Sequence, residues 1–133
     1  MTQEKKALIR YRLERAHEAL QEARILLAEG HANTFVNRVY YACFYAVTAL
    51  LLTKDLSSAR HVGVRALFHQ NFVKPGAIAI DLGQLYDALF RSRQKGDYAD
   101  LVHFKSEEVG LWLDQAESFV KTIESQIQAE ESN

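Results

Sequence analysis

The sequence predicts an all-α fold, a single up-and-down helical bundle of about five helices. Three observations predict it. One proline and six glycines are all that punctuate 133 residues. Apolar residues recur at three- and four-residue steps through most of the chain, which is the repeat of one helix face. Strand-like alternation is scarce. A chain of this length buries a sizeable core without disulfide or metal staples, so residues 1–133 are assigned to one domain. Its packed part runs from about residue 3 to about residue 128, and the tail from Ala129 to Asn133 should fray.

The first helix is expected from about Gln3 to Glu29, with Ile9, Leu13, Ala16, Leu20, Ala23 and Leu27 as its apolar stripe. Gly30 would end it, as glycine does just past a helix C-terminus. A tight loop around His31-Ala32-Asn33 leads into the second helix, about Thr34 to Thr53, packed antiparallel to the first. Ser57 and Ser58 are N-cap candidates for a third helix, about Ala59 to Phe72, with Val62, Leu67, Phe68 and Phe72 inward. Pro75-Gly76 breaks the chain. A fourth helix, about Ile78 to Arg93, carries Ile78, Leu82, Leu85, Leu89 and Phe90; Gln94 to Asp100 then reads as a polar loop. Ser106 would cap the last helix, with Glu107 and Glu108 in its first turn favouring the dipole. Its apolar stripe is Val109, Trp112, Leu113, Ala116, Phe119, Val120, Ile123 and Ile127.

The second helix organises the rest. Asn37, Tyr41, Tyr45 and Thr48 fall on one stripe of it, and Tyr40, Phe44, Val47 and Leu51 on another. A helix apolar nearly all round is buried, and buried polar groups need partners. Asn37, Arg38 and Thr48 interrupt the apolar run, which falls short of a clean membrane span of roughly 20 residues. The helix is therefore read as core. It is too apolar for a monomer of this size to cover every face, and a homodimer would cover the remainder.

Composition narrows the function classes. A net charge of −1 provides no global field for nucleic acid or anionic membrane. The single cysteine, Cys43, lies inside the apolar helix, which suits a buried structural thiol and a reducing cytoplasm. Met1 to Arg15 is charged throughout and shows no signal peptide. No metal is expected, because the five histidines lack ligand spacing with Cys43 or with paired carboxylates. No glycine-rich phosphate loop or nucleophile elbow occurs. No basic stripe with interleaved aromatics of the kind that binds single strands is visible.

Three polar groups stand out. Asn37-Arg38 with Tyr41 opens the second helix; either these residues reach water and pair locally, or Arg38 binds phosphate while Asn37 holds an orienting hydrogen bond. Arg60-His61 opens the third helix, as a surface or capping pair or as part of an anion site, where the helix N-terminus would lower the histidine pKa. Arg91-Ser92-Arg93-Gln94-Lys95-Gly96-Asp97-Tyr98 sets three cations before a carboxylate and a phenol. It is either a dipole-complementing helix end followed by a loop, or a site for nucleotide or phosphodiester.

Taken together, these segments resemble the HEPN family (higher eukaryotes and prokaryotes nucleotide-binding domain), in particular its small stand-alone prokaryotic branch, formerly classed as an uncharacterised protein family. The resemblance rests on Ala19-Leu20 to Leu26-Leu27 with Gly30, on Asn37-Arg38-Val39-Tyr40-Tyr41-Ala42-Cys43-Phe44-Tyr45-Ala46, and on Ala49-Leu50-Leu51. It continues through His61-Val62-Gly63, Phe72-Val73-Lys74, Leu89-Phe90 with Arg93, and Asp97-Tyr98. It implies a bundle that dimerises around a cleft lined by the polar motif. It implies no cofactor. Many members are metal-independent endoribonucleases. They often serve as toxins beside a minimal nucleotidyltransferase, which acts as antitoxin and can adenylylate the HEPN partner on a tyrosine.

The family's nuclease motif is an arginine, four to six residues, then a histidine. This sequence departs from it: Tyr98 stands where the histidine is expected, and His103 lies beyond the motif. Tyrosine titrates near about 10 and is a poor base at neutral pH. The resemblance therefore makes Arg93, Asp97, Tyr98 and His61 the candidate catalytic residues, with His61 as the substitute acid–base group. Asn37, Arg38, Tyr41 and Arg91 are the candidate nucleotide- or RNA-binding residues, and Tyr98 is the candidate modification site. The expected function is a cytoplasmic HEPN component of a toxin–antitoxin module, a homodimer that binds nucleotide or RNA phosphate and pairs with a nucleotidyltransferase. The alternatives are an active endoribonuclease toxin and a purely structural bundle dimer. Asn37, Arg38, Tyr41 and Tyr45 are expected to face Arg93.

Overall fold

The computed structural model describes residues 1–98 and 102–132, without the side chains of 96–98. Among these, all regular structure is helical: α1 (Gln3–Ala28), α2 (Ala32–Leu52), α3 (His61–Phe68) running into a π turn (His69–Val73), α4 (Ile80–Tyr98), a single-turn α5 (Ser106–Val109) and α6 (Leu111–Glu131).

Thr2 caps α1, its hydroxyl accepting from the Lys5 amide at 3.1 Å. Gly30 closes that helix at φ 81°, where a Cβ would be strained. The Gly30 amide returns to Leu27 and the His31 amide to Leu26, the double bond of a Schellman ending. This ending takes only Glu29 to His31. Ala32 and Asn33 therefore belong to α2, two residues earlier than expected. Asp55, at φ 58°, closes α2 in the same way, with the Leu56 amide on Leu51 and the Asp55 amide on Leu52.

α2 packs against α1, α6, α4, α3 and α5. It has the length and hydropathy of a membrane-crossing helix. Its Phe35, Val39, Tyr40, Cys43, Val47 and Leu50 are fully buried among the other helices, which is why it is so apolar. Burial pushes the Cys43 thiol pKa well up, so the thiol is inert. Beyond α2, Tyr86 of α4 stacks on Phe119 of α6, with Phe68 edge-on to both.

Several expectations are corrected. α3 starts at His61, and neither Ser57 nor Ser58 is its N-cap; Ser58 instead accepts from the Arg60 amide at 3.2 Å. In this register Val64 and Phe68 point inward, and Val62 is 60 % exposed. Gln94 to Tyr98 continue α4 and are not a loop, since Arg93, Gln94 and Lys95 are good helix formers and outweigh Gly96. Ile78, buried, lies before the start of α4, not in it. Ser106 opens α5, not one unbroken terminal helix; Lys105 is its N-cap position, and Gly110, itself in helical conformation, is the one residue between α5 and α6.

Candidate functional site

The expected stripe of α2 leads to a cluster in which α2, α3 and α4 converge. The second row, Tyr40, Phe44, Val47 and Leu51, does face inward, with Phe44 half-buried. Asn37, Arg38, Tyr41, Tyr45 and Thr48 sit half-buried beside it.

Tyr41 meets two cations. The Arg93 Nη2 donates to its hydroxyl at 3.1 Å, and the Arg93 guanidinium carbon lies 5.4 Å from its ring centroid. The Arg38 guanidinium lies 5.1 Å from the same ring. Arg38 also donates through Nε and Nη2 to Asn37 Oδ1 at 3.1 and 3.0 Å, and through Nη1 to Glu22 of α1 at 3.3 Å. Asn37 and Arg38 thus pair locally, and the Arg38 guanidinium also meets the Tyr41 ring. A guanidinium keeps its charge at any physiological pH, so the cluster is a permanent cationic patch on aromatic faces.

His61 joins it from α3. Its ring stacks on Phe44 at 4.4 Å, stands edge-on to Tyr41 at 5.7 Å, and its Nδ1 shares a 2.8 Å hydrogen bond with the Tyr40 hydroxyl. Burial, eased by the Tyr86 hydroxyl and the Arg93 charge, raises the Tyr40 pKa to about 12. Tyr40 therefore stays a neutral phenol that orients the imidazole. The Arg93 guanidinium lies 5.5 Å from the Tyr40 ring, so one ring links it to His61.

Arg91 is exposed and makes none of the contacts that tie this cluster. The side chains of Asp97 and Tyr98 lie outside the described residues, and so do the roles expected of them; their backbone extends α4 beyond Arg93. Arg93 therefore sits within a helix, not at its end.

Three features escaped the sequence reading. Asn33 pins the chain on its return from α4: its Nδ2 donates to the Val102 carbonyl at 3.0 Å and its Oδ1 accepts from the Phe104 amide at 2.8 Å. Asp87 clamps α3 to α4, accepting from Arg65 Nε at 2.6 Å and bonded to His69 Nε2 at 2.9 Å. Burial pushes the Asp87 carboxyl pKa up, but these two partners outweigh it and hold it below the usual range. Lastly, a stripe of arginines facing tyrosines continues from α2 onto α1. One turn along α2 from Tyr41, Arg15 of α1 donates to the Tyr45 hydroxyl at 3.3 Å, with its guanidinium 5.2 Å from that ring. Arg12 follows, donating to the Thr48 carbonyl at 3.2 Å. Arg12 and Arg15 flank Ile9 and Ala16 on the apolar face of α1, and that flanking position was the available signal.

Comparison with known proteins agrees with this architecture. The family model described as HEPN domain matches residues 9–126. A relative called "UPF0332 protein" from Thermotoga maritima is 45% identical over 125 residues, covering 94% of this chain and 95% of the relative. Two relatives come from Methanocaldococcus jannaschii. "Putative toxin MJ0142" is 31% identical, over 81% of this chain and 74% of its own length, and "Putative toxin MJ0605" is 35% identical, over 84% and 82%. With its helical architecture and a family match over most of its length, this chain belongs to the HEPN domain family.

Proposed function

We propose that this protein is the HEPN component of a toxin–antitoxin type module in the cytoplasm. In this reading it is a homodimer whose cleft binds nucleotide or RNA phosphate, and it works with a minimal nucleotidyltransferase. The observation that carries the reading is the convergence of Arg38 and Arg93, from different helices, on Tyr41. Two guanidiniums beside one aromatic ring offer forked donors to a phosphate and a stacking surface to a base. The exposed Glu22 partner of Arg38 is weakly held and exchangeable for a phosphate oxygen. The relatives named as toxins support the module reading.

The test is fluorescence anisotropy with labelled RNA and nucleotide, comparing the unaltered chain with an Arg38→Ala/Arg93→Ala variant. A loss of affinity of about tenfold or more is expected, since each lost charge-assisted contact is worth about 1.5–3 kcal/mol. Unchanged binding would place the ligand away from Arg38 and Arg93 and refute this site. Co-expression with a minimal nucleotidyltransferase, followed by mass spectrometry, should find added nucleotide mass on Tyr98.

The position of His61 favours a second reading, a metal-independent endoribonuclease. RNA carries its own nucleophile, the 2′-hydroxyl. His61 would take its proton as the 2′-oxygen attacks phosphorus, the P–O5′ bond breaks, the departing 5′-oxygen takes a proton from water, and Arg93 balances the charge gathering on the phosphate. RNA cleavage by the clean protein in excess chelator, lost in His61→Ala, is the expected result; no cleavage and no growth arrest on expression would refute it.

A further inference from the structure

Phe44 also lines a cavity. It is a cleft of about 490 Å³ between α1, α2 and the segment that leads into α3, a volume typical of small-molecule sites. Phe44, Leu51 and Val64 line it with apolar surface, Tyr45 adds an aromatic wall, and Arg12 and Arg15 line it as well. Arg12 is the informative residue. It is half-buried, its hydrogen bond goes to the neutral Thr48 carbonyl, and burial pushes its pKa down. Among the described residues no carboxylate lies within ion-pair distance of it. A partly desolvated cation without a counter-charge is costly, and a bound anion removes the cost. Arg15, three residues along the same helix face, adds a second fork; its ion pair with Glu18, at 3.1 Å, lies at the exposed rim, where such pairs are weak. Two cationic side chains three residues apart, beside aromatic and apolar walls, suit one compact anionic group on a flat apolar body. They do not suit a polyanion, which would meet Glu18 and the apolar walls.

We propose that this cleft binds a small aromatic molecule bearing a single anionic group, either a carboxylate or a phosphate monoester. The group sits between Arg12 and Arg15, and the ring lies against Phe44 and Tyr45. The proposal goes beyond the nucleotide or RNA reading of the Tyr41 cluster and stands on different residues.

The test uses the full chain and anilinonaphthalene sulfonate, an aromatic anion whose fluorescence rises on binding. Saturable binding at one probe per chain is expected. The uncharged analogue phenylnaphthylamine should bind at least about tenfold more weakly. Arg12→Met and Arg15→Met should each weaken the sulfonate about tenfold, equivalent to about 1.4 kcal/mol, with near-ultraviolet circular dichroism unchanged. If Arg12→Met fails to fold, Arg15→Met, at the exposed rim, carries the same reading. Arg38→Ala/Arg93→Ala should leave the probe's affinity intact, which separates this cleft from the Tyr41 cluster. Displacement by AMP or by naphthoate identifies phosphate or carboxylate as the preferred group. Equal binding of the neutral probe, insensitivity to both arginine variants, or displacement by neither ligand at millimolar concentration overturns the proposal. So does loss of probe binding as protein concentration rises, which would mean that a second copy covers the cleft.

Discussion

Removing the Tyr41 hydroxyl should cost stability through Arg93 and through little else. The hydrogen bond between them is 3.1 Å long and has a charged donor. Such bonds contribute about 1.5–3 kcal/mol, and Tyr41 is half-buried, so water competition sets the lower end. Tyr41→Phe should therefore cost about 1.5 kcal/mol. It keeps the ring that Arg93 and Arg38 face at 5.4 and 5.1 Å. Tyr41→Leu removes that face too and should cost about 3 kcal/mol, since each partly exposed cation–π contact is worth about 0.5–1 kcal/mol. With Arg93→Met already in place, Tyr41→Phe should cost less than about 0.5 kcal/mol, which leaves a coupling energy of about 1 kcal/mol. Urea unfolding of the four chains of this cycle, by linear extrapolation, measures it. A coupling below about 0.3 kcal/mol is indistinguishable from independent sites. That result would refute the shared cluster, and with it the placement of Arg93 over Tyr41.

Two further outcomes follow from the packing around α3. The Asp87 carboxyl pKa is held below its usual range, so the unfolded chain takes up its proton first. The stabilisation is present above about pH 4 and is lost as pH falls through the lower folded-state value. Asp87→Asn should lower stability at pH 7 by about 1 kcal/mol, allowing for solvent screening, and flatten the acid limb of a melting-temperature profile; a parallel limb in the variant would assign the loss to other groups. A Cβ at Gly63 would run into the Ser58 side chain. Gly63→Ala should cost about 1–2 kcal/mol despite better helix propensity, and adding Ser58→Gly should recover most of it. Urea midpoints that show no recovery would place the strain elsewhere.

The helical fold was legible because its signals are local. Repeats at three and four residues mark a buried face wherever it packs, and Gly30 carries its own ending geometry. The reading failed where local and tertiary demands diverged. Val62 looks like a core position, but α3 begins at His61 and spends its inward direction on Val64 and Phe68. Gln94 to Tyr98 look like a loop, but helix propagation adds one bond per residue and tolerates Gly96. Asn33 and Asp87 were passed over because a polar side chain shows its partner only after distant segments meet.

By itself, then, the sequence determined an all-α bundle built around one central helix, the inward and half-buried rows of that helix, a buried inert thiol at Cys43, and the resemblance to the HEPN family. It also named Asn37, Arg38, Tyr41, His61 and Arg93 as residues to watch. Only the tertiary structure decided that Arg38 and Arg93 meet on one ring, that His61 belongs with Tyr40 and Phe44, that Arg91 does not join them, and that Arg12 and Arg15 extend the cationic stripe into a separate cleft. The reason is one of range. Helix periodicity is a property of neighbours in the chain, whereas a guanidinium finds its ring across some fifty residues of sequence, at a distance that packing alone sets.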